Sequence, residues 1–496
     1  MLLGCLAAAA GLVVFGWGAG MPSAWRDEAV TLAVASRSVG DILALARSVD
    51  LVHTPYYLLV HALFGSDPSL TAARWVSVVA AALTGPVLYG TARRAADRAV
   101  GCTAVALWLA LPLVSRYAQE ARPYALAALL AALSSYLLLR ACARPGARRG
   151  WVLYALSLPV VLAVNTLAGL VLLGHAAWLL TAPGAAGGPS AAARPGRVVL
   201  LRRGGAAAAA GLLLAAPLVL AAQRQAGQVA FLQPPALRDL TGHVVATAGS
   251  RPGALLLVGA AALVLAAGRH RRLALLGAAW GALPVPLLWA LAQVHPLWTT
   301  RYLVPTLPGL CLLLAGVAAL GAGSLLARRG PAPGARARGG WRLLPAVALV
   351  AALAATGLPR QLALRGPVGH AEDVRGVAAL VAERARPGDA VLFVPNGEYR
   401  YRVVVQSHPE AFAGLADVAL ARGPEESATL VGVEHGPEGI SRAMADVERV
   451  WVIGRPGAMI AAEPGDRRKL ELLARRYRQV DRVDLADWTV REFVRR

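Results

Sequence analysis

The sequence predicts a membrane all-α protein: a polytopic bundle of about eleven transmembrane helices followed by a small extracytoplasmic α/β domain at the C-terminus. Three observations carry that expectation. Mean hydropathy is +0.54, well above what a soluble chain of this length shows. Apolar runs long enough to span a bilayer recur along residues 1–358, and their arginines fall in clusters between the runs. Beyond residue 359 the runs shorten and the charges rise.

Taken in order, the apolar runs lie at 2–20, 70–91, 99–115, 124–141, 151–164, 166–182, 205–222, 252–268, 273–291, 303–326 and 343–358. Each is read as a helix because lipid offers no partner for backbone N–H and C=O groups. Residues 2–20 are read as a first helix, with a cleaved signal as the alternative although no basic segment leads in. The Gly-, Pro- and Arg-rich connectors at 183–204 and 327–341 suit flexible loops and offer no chemistry.

Sidedness follows from the arginines. Arg93, Arg94 and Arg98 form one cluster, Arg144, Arg148 and Arg149 a second, and Arg194, Arg197, Arg202 and Arg203 a third. Arg269, Arg271 and Arg272, then Arg328, Arg329, Arg336 and Arg338, continue the series. With eleven spans all five clusters share one side, which the positive-inside rule makes cytoplasmic. A multi-pass protein of the plasma membrane is expected, with the large loop 21–69 and the segment 359–496 outside.

The tail reads as α/β. Residues 371–385 have helical spacing, Arg386-Pro387-Gly388-Asp389 is a turn, and Ala390–Pro395 is a compact apolar strand. Val450–Ile453 is a second strand, Arg467–Arg478 a helix and Trp488–Val494 a last strand.

A formal charge of +22 raises the question of nucleic acid, but the arginines interrupt apolar runs instead of lining one face, so no nucleic-acid partner is expected. Lys469 is the lone lysine, so the choice of Arg over Lys carries little information. Cys5, Cys102, Cys142 and Cys311 have neither metal-ligand nor disulfide-framework spacing. No protein metal site is expected, and no cofactor beyond a divalent cation that a phosphate could share.

Chemistry belongs to the outer loops. Arg26-Asp27-Glu28 follows the first helix directly, where adjacent carboxylates near lipid are costly. His53-Thr54-Pro55-Tyr56-Tyr57 lies later in the same loop, and Arg116 to Tyr124 joins two spans through Gln119-Glu120-Ala121-Arg122-Pro123. Each alone could be a helix cap or an interfacial Tyr/Arg belt. Arg26 and Arg116 are read as such headgroup anchors. Glycine-rich phosphate loops in a strand-loop-helix context are missing, since Gly184, Gly187 and Gly188 sit in a connector.

Together these segments resemble the C-type membrane glycosyltransferases that use polyprenyl-phosphate sugars, the protein O-mannosyltransferase and aminoarabinose transferase group. The landmarks are the Asp-Glu pair, His-x-Pro-x-Tyr, Ala73-Arg74-Trp75, Gln-Glu-Ala-Arg-Pro-Tyr, and Arg301-Tyr302-Leu303-Val304-Pro305, in that order over residues 1–310. The Asn165-Thr166 turn departs from the His-containing pair expected in many relatives.

The resemblance implies a polyprenyl-phosphate sugar donor, probed from the bilayer, and a protein, lipid or glycan acceptor outside. Mannose is the sugar it implies, with pentose transfer to a cell-wall glycan or lipid as the competing reading. Displacing a phosphate from an anomeric carbon runs through an oxocarbenium-like transition state, and phosphate leaves without a general acid. One base for the acceptor hydroxyl then suffices. Asp27 is the candidate base, with Glu28 orienting the acceptor or tuning its neighbour. Arg74, Arg122 and Arg301 are candidates for the leaving phosphate, whose charge grows in the transition state. His53, Tyr56, Glu120, Tyr124 and Tyr302 complete the expected donor site. A transporter would instead place ionisable residues near mid-membrane in two related halves, and no such repeat is visible.

Overall fold

A computed structural model describes residues 2–183, 196–229, 232–295, 297–320, 343–396 and 400–496. Arg194, Arg328, Arg329, Arg336, Arg338 and the connector glycines 184, 187 and 188 lie outside the described residues. The chain forms two compact units: Met1–Trp17 with Trp75–Ala363, and Gly18–Arg74 with Leu364–Arg496. The second therefore joins the first loop to the C-terminal segment, whereas the sequence groups that loop with the spans.

The first unit is helical. Six helices among the described residues have the length and apolarity to cross a membrane: Leu70–Ala95, Tyr124–Ala143, Arg197–Gln223, Arg271–Leu291, Thr300–Leu320 and Leu344–Ala363. The number rises to eight if two bent pairs each count as one span, against the eleven expected. One pair, Arg98–Ala110 and Pro112–Ala118, bends by 67°. Pro112 has no N–H and forces Leu111 into extended backbone, φ −75° and ψ 120°. In the other, Leu237–Ala248 and Arg251–Ala267 meet at 92°. Gly249 ends the first helix with φ +80°, and the Ser250 side chain starts the second by accepting from Gly253 N.

The expected spans at 2–20, 151–164 and 166–182 fall short. Their helices are Leu2–Gly16, Arg148–Val164 and Thr166–Leu180, of 15, 17 and 15 residues. At 1.5 Å per residue a helix of that length reaches roughly 22–26 Å, less than the ~30 Å hydrocarbon core. Length and apolarity together thus support six to eight spans among the described residues.

Small residues let these helices pack backbone to backbone. A Cβ at Gly281 would lie 2.0 Å from Leu310 N, so the Arg271–Leu291 helix passes that point only with glycine there. Several basic helix ends carry aromatic partners: Arg94 stacks 4.5 Å over Tyr136 and Arg272 3.9 Å over Trp178.

The second unit is α/β. Its strands are β1 Ala390–Val394, β2 Ala416–Asp417, β3 Leu420–Arg422, β4 Val433–Glu434, β5 Arg449–Gly454, β6 Tyr477–Leu485 and β7 Trp488–Arg495. Five make one sheet in the order β2-β1-β5-β7-β6, parallel across β2-β1-β5 and antiparallel across β5-β7-β6. β3 and β4 form a separate pair. Alternation along the strands sends Val391, Phe393, Trp451, Ile453, Trp488 and Val490 to one core with helix Val374–Arg384. Leu392, Val394, Val450, Val452 and Phe493 face the other, under Leu472 and Leu473 of helix Pro464–Arg476. Burial on both faces is why β1 and β5 read as unbroken apolar runs.

The helix expected at 467–478 ends at Arg476, because Tyr477 opens β6. β6 is an edge strand, exposed throughout residues 478–480 and alternating in burial only from Asp481 to Leu485, a weaker signal than an apolar run.

The loop at 21–69 is itself folded into helices Arg26–Ala35, Val39–Ser48 and Thr54–Phe64. Ala29, Val30, Ala33 and Val34 make one face of the first and pack with Ile42, Leu45, Tyr57, Val403, Leu430 and Val431. Burying that stripe ties the loop to the C-terminal segment.

Candidate active site

The carboxylate pair occupies the first turn of helix Arg26–Ala35, where the helix dipole favours negative charge. The N-cap, Trp25, offers no side-chain acceptor. Glu372 supplies one from far along the chain, accepting from Arg26 N at 3.1 Å and Arg26 Nε at 2.9 Å. Arg26 also pairs with Asp487 at 2.6 Å and lies 4.8 Å over the Tyr401 ring. It is thus a structural clasp inside the second unit, not the headgroup anchor expected. Burial would lower its pKa, but Glu372, Tyr401 and Asp487 raise it above the usual guanidinium value. For Glu372 burial prevails and raises the carboxyl despite Arg26.

Glu28 is fully buried. Arg74 grips it through Nε to Oε1 and Nη2 to Oε2, both at 2.7 Å. The remaining Arg74 N–H groups donate to Ala19 O and Pro22 O at 2.8 Å and Ser23 O at 3.2 Å. A guanidinium has five N–H donors, and all five are used. Arg74 therefore has none left for the phosphate contact expected of it. His370 Nδ1 stands 3.5 Å from Glu28 Oε2. Burial would raise the Glu28 carboxyl, but Arg74 and His370 hold it far below the usual range.

Asp27, one residue earlier, keeps 14% of its side chain accessible, and Arg400 Nη1 stands 3.6 Å from Oδ1. The neighbouring carboxylates thus differ: Glu28 is locked inside, whereas Asp27 is only partly buried.

His53 Nδ1 meets Asp50 Oδ1 at 2.7 Å, and Tyr57 OH donates to Asp50 Oδ2 at 2.5 Å. Asp50 sits at φ +64°, a left-handed turn that aims its carboxylate between the two. Tyr56 is buried, its hydroxyl donating to Ala73 O at 3.4 Å.

The remaining candidates belong to the first unit. Glu120 is buried and pairs with Arg116 Nη1 at 2.6 Å, so Arg116 is tied to the motif expected to carry chemistry. Gln119 Nε2 donates to Phe15 O at 2.8 Å and Trp17 O at 2.7 Å, fixing the turn. Arg122 is 2% exposed, and its carbonyl accepts from Ser77 Oγ at 3.1 Å. Tyr124 packs edge-on against Tyr117 at 5.5 Å. Arg301 opens the turn Thr300–Thr306 with its guanidinium 5.7 Å from the half-buried Tyr302 ring. Asn165 caps the turn Thr166–Leu170 by accepting from Ala168 N at 3.1 Å.

Sequence reasoning missed Asp50, Glu372, His370 and Arg400. Asp50 had a local signal, three residues before His53. The other three act across hundreds of residues, and no local pattern marks them. Among the described residues no group of three His, Cys, Asp or Glu side chains is placed to hold a metal ion.

Residues 54–187 match the family model described as dolichyl-phosphate-mannose-protein mannosyltransferase. No curated protein matches the chain. Among solved structures, ArnT from Cupriavidus metallidurans in the apo state matches with TM-score 0.57 and 15% identity, covering 98% of this chain and 97% of that one. The same protein bound to undecaprenyl phosphate matches with TM-score 0.57 and 14% identity over the same shares. The Archaeoglobus fulgidus oligosaccharyltransferase, in complex with Zn and sulfate, reaches TM-score 0.46 at 10% identity, over 91% of this chain and 68% of that one. This multi-span chain thus matches a mannosyltransferase family model over residues 54–187 and shares its fold, over nearly its whole length, with ArnT.

Proposed function

We propose that this chain is a membrane glycosyltransferase of the C-type class that moves one sugar from a polyprenyl-phosphate carrier to an acceptor hydroxyl at the outer face of the membrane, with Asp27 as general base. The observation that carries the reading is the split within the carboxylate pair. Glu28 is consumed by Arg74, whereas Asp27 keeps an accessible carboxylate on the same rigid turn. A base must reach its proton, and its neighbours must hold it still. Arg74 and Glu28 are positioning residues: together they pin the turn 19–23 that leads into the Asp27 helix.

Arg122 and Arg301 are the phosphate candidates that remain in this reading, with Glu120, Tyr124, Tyr302, His53 and Tyr56 as donor contacts or their supports. The family match favours mannose as the sugar, and its description names a dolichyl-phosphate donor. Undecaprenyl phosphate in the ArnT structure supports a lipid-phosphate carrier for this fold. The test is label transfer by purified protein from a panel of polyprenyl-phosphate hexoses and pentoses to membrane extract. Transfer from the mannose donor, abolished by Asp27→Asn, is expected. Transfer from a pentose donor alone would reassign the sugar, and transfer by Asp27→Asn at the wild-type rate would remove the base.

A further inference from the structure

A groove of about 560 Å³ runs between helices Arg148–Val164 and Arg197–Gln223 of the first unit, and none of its lining residues has a catalytic or donor-binding role above. Its floor is Val152, Ala155, Ala206, Ala207 and Ala210, and its mouth carries Arg148, Trp151 and Arg203. We infer that this groove binds an anionic phospholipid, its acyl chain on the alanine floor and its phosphate between Arg148 and Arg203.

The construction of the groove supports that occupant. The two helices approach closely at one level, where a Cβ on Gly211 would lie 2.5 Å from Ala155 O. Above it, Ala206 and Ala210 leave width that longer side chains would fill, and both are exposed. The flanks are apolar and exposed, as side chains that meet lipid are: Leu213 and Leu214 are 74% and 60% exposed, and Leu156 is 50%. Trp151 Nε1 and Arg203 Nη1 both donate to Pro145 O, which holds the indole and the guanidinium on one rim. Arg148 and Arg203 remain exposed, and no carboxylate lines the groove. An apolar slot with two cations at one end complements a single anionic headgroup with a hydrocarbon tail. On the sidedness expected from the sequence, the slot opens to the cytoplasmic leaflet, where anionic lipids meet basic pockets.

The measurement is native mass spectrometry of the full-length protein in detergent, titrated with phosphatidylglycerol or phosphatidylcholine. Wild type should retain phosphatidylglycerol in preference to phosphatidylcholine, resist displacement by inorganic phosphate, and lose roughly thirtyfold in affinity on Arg148→Ala/Arg203→Ala. Ala210→Trp, which fills the slot and keeps both charges, should also abolish retention, whereas Arg144→Ala, outside the lining, should not. Equal retention of both lipids would overturn the inference. So would retention by either groove variant, equal loss in Arg144→Ala, or displacement by inorganic phosphate alone.

Discussion

Arg74 and Glu28 form a two-pronged ion pair from which solvent is fully excluded, with both N···O distances at 2.7 Å. Breaking such a pair strands a charge, which costs about 3–5 kcal/mol. Arg74→Ala and Glu28→Gln should therefore each lower the melting temperature or raise protease sensitivity in the second unit. Arg74→Lys should do so too, because a point charge cannot reproduce the fork. Transfer activity per folded molecule should fall less than in Asp27→Asn. Unchanged stability in all three variants would contradict the positioning role.

Acid should erase that contribution. The Glu28 carboxyl is depressed in the folded state, so the stability it confers is present above its unfolded value of 4.5 and is lost as pH falls toward the folded one. Glu372 runs the other way: its raised carboxyl binds a proton more readily when folded, which favours the folded state as pH drops. Comparing wild type with Glu28→Gln isolates the first effect. The stability gap between them should be constant from pH 7 to about 5 and narrow below 4.5. A gap that widens on acidification would reverse the assignment.

Asp27→Asn should remove roughly 10²–10⁴ of the rate while the protein stays folded and membrane-inserted, since the amide keeps the shape but accepts no proton. Donor binding should change little by comparison. Label transfer normalised to monodisperse protein measures the first, and donor titration the second.

Arg122→Ala and Arg301→Ala should each slow transfer by an amount equivalent to about 2–4 kcal/mol, the loss typical of a contact that strengthens as charge develops. Arg98→Ala, at an exposed helix start, should leave turnover intact. Full activity in both first variants would move phosphate recognition elsewhere.

A reporter active only outside the cytoplasm, fused after Arg496, should be active if the positive-inside rule holds for the preceding arginine-rich connector. Activity from a cytoplasm-only reporter at the same point would invert the topology.

The sequence alone determined that the chain enters a membrane and where its carboxylates and arginines cluster, because hydrophobic length and charge are local properties. The strands β1 and β5 were legible for the same reason, each being a short apolar run, whereas β7 carries Thr489, Arg491 and Glu492 among its apolar residues. Helix ends and bends were less so: a proline after Leu111 and a left-handed Gly249 divide helices that hydropathy reads as continuous or as loop. The tertiary structure alone decided which member of the Asp27-Glu28 pair is accessible. Side chains adjacent in a helix point about 100° apart. Partners 46 residues away at Arg74 and 346 away between Arg26 and Glu372 set which direction is inward. The same long-range burial, through Ala29, Val30, Ala33 and Val34, draws residues 18–74 into one unit with the C-terminal segment. A one-dimensional pattern cannot show this, since an amphipathic stripe specifies that it must be covered but not by what.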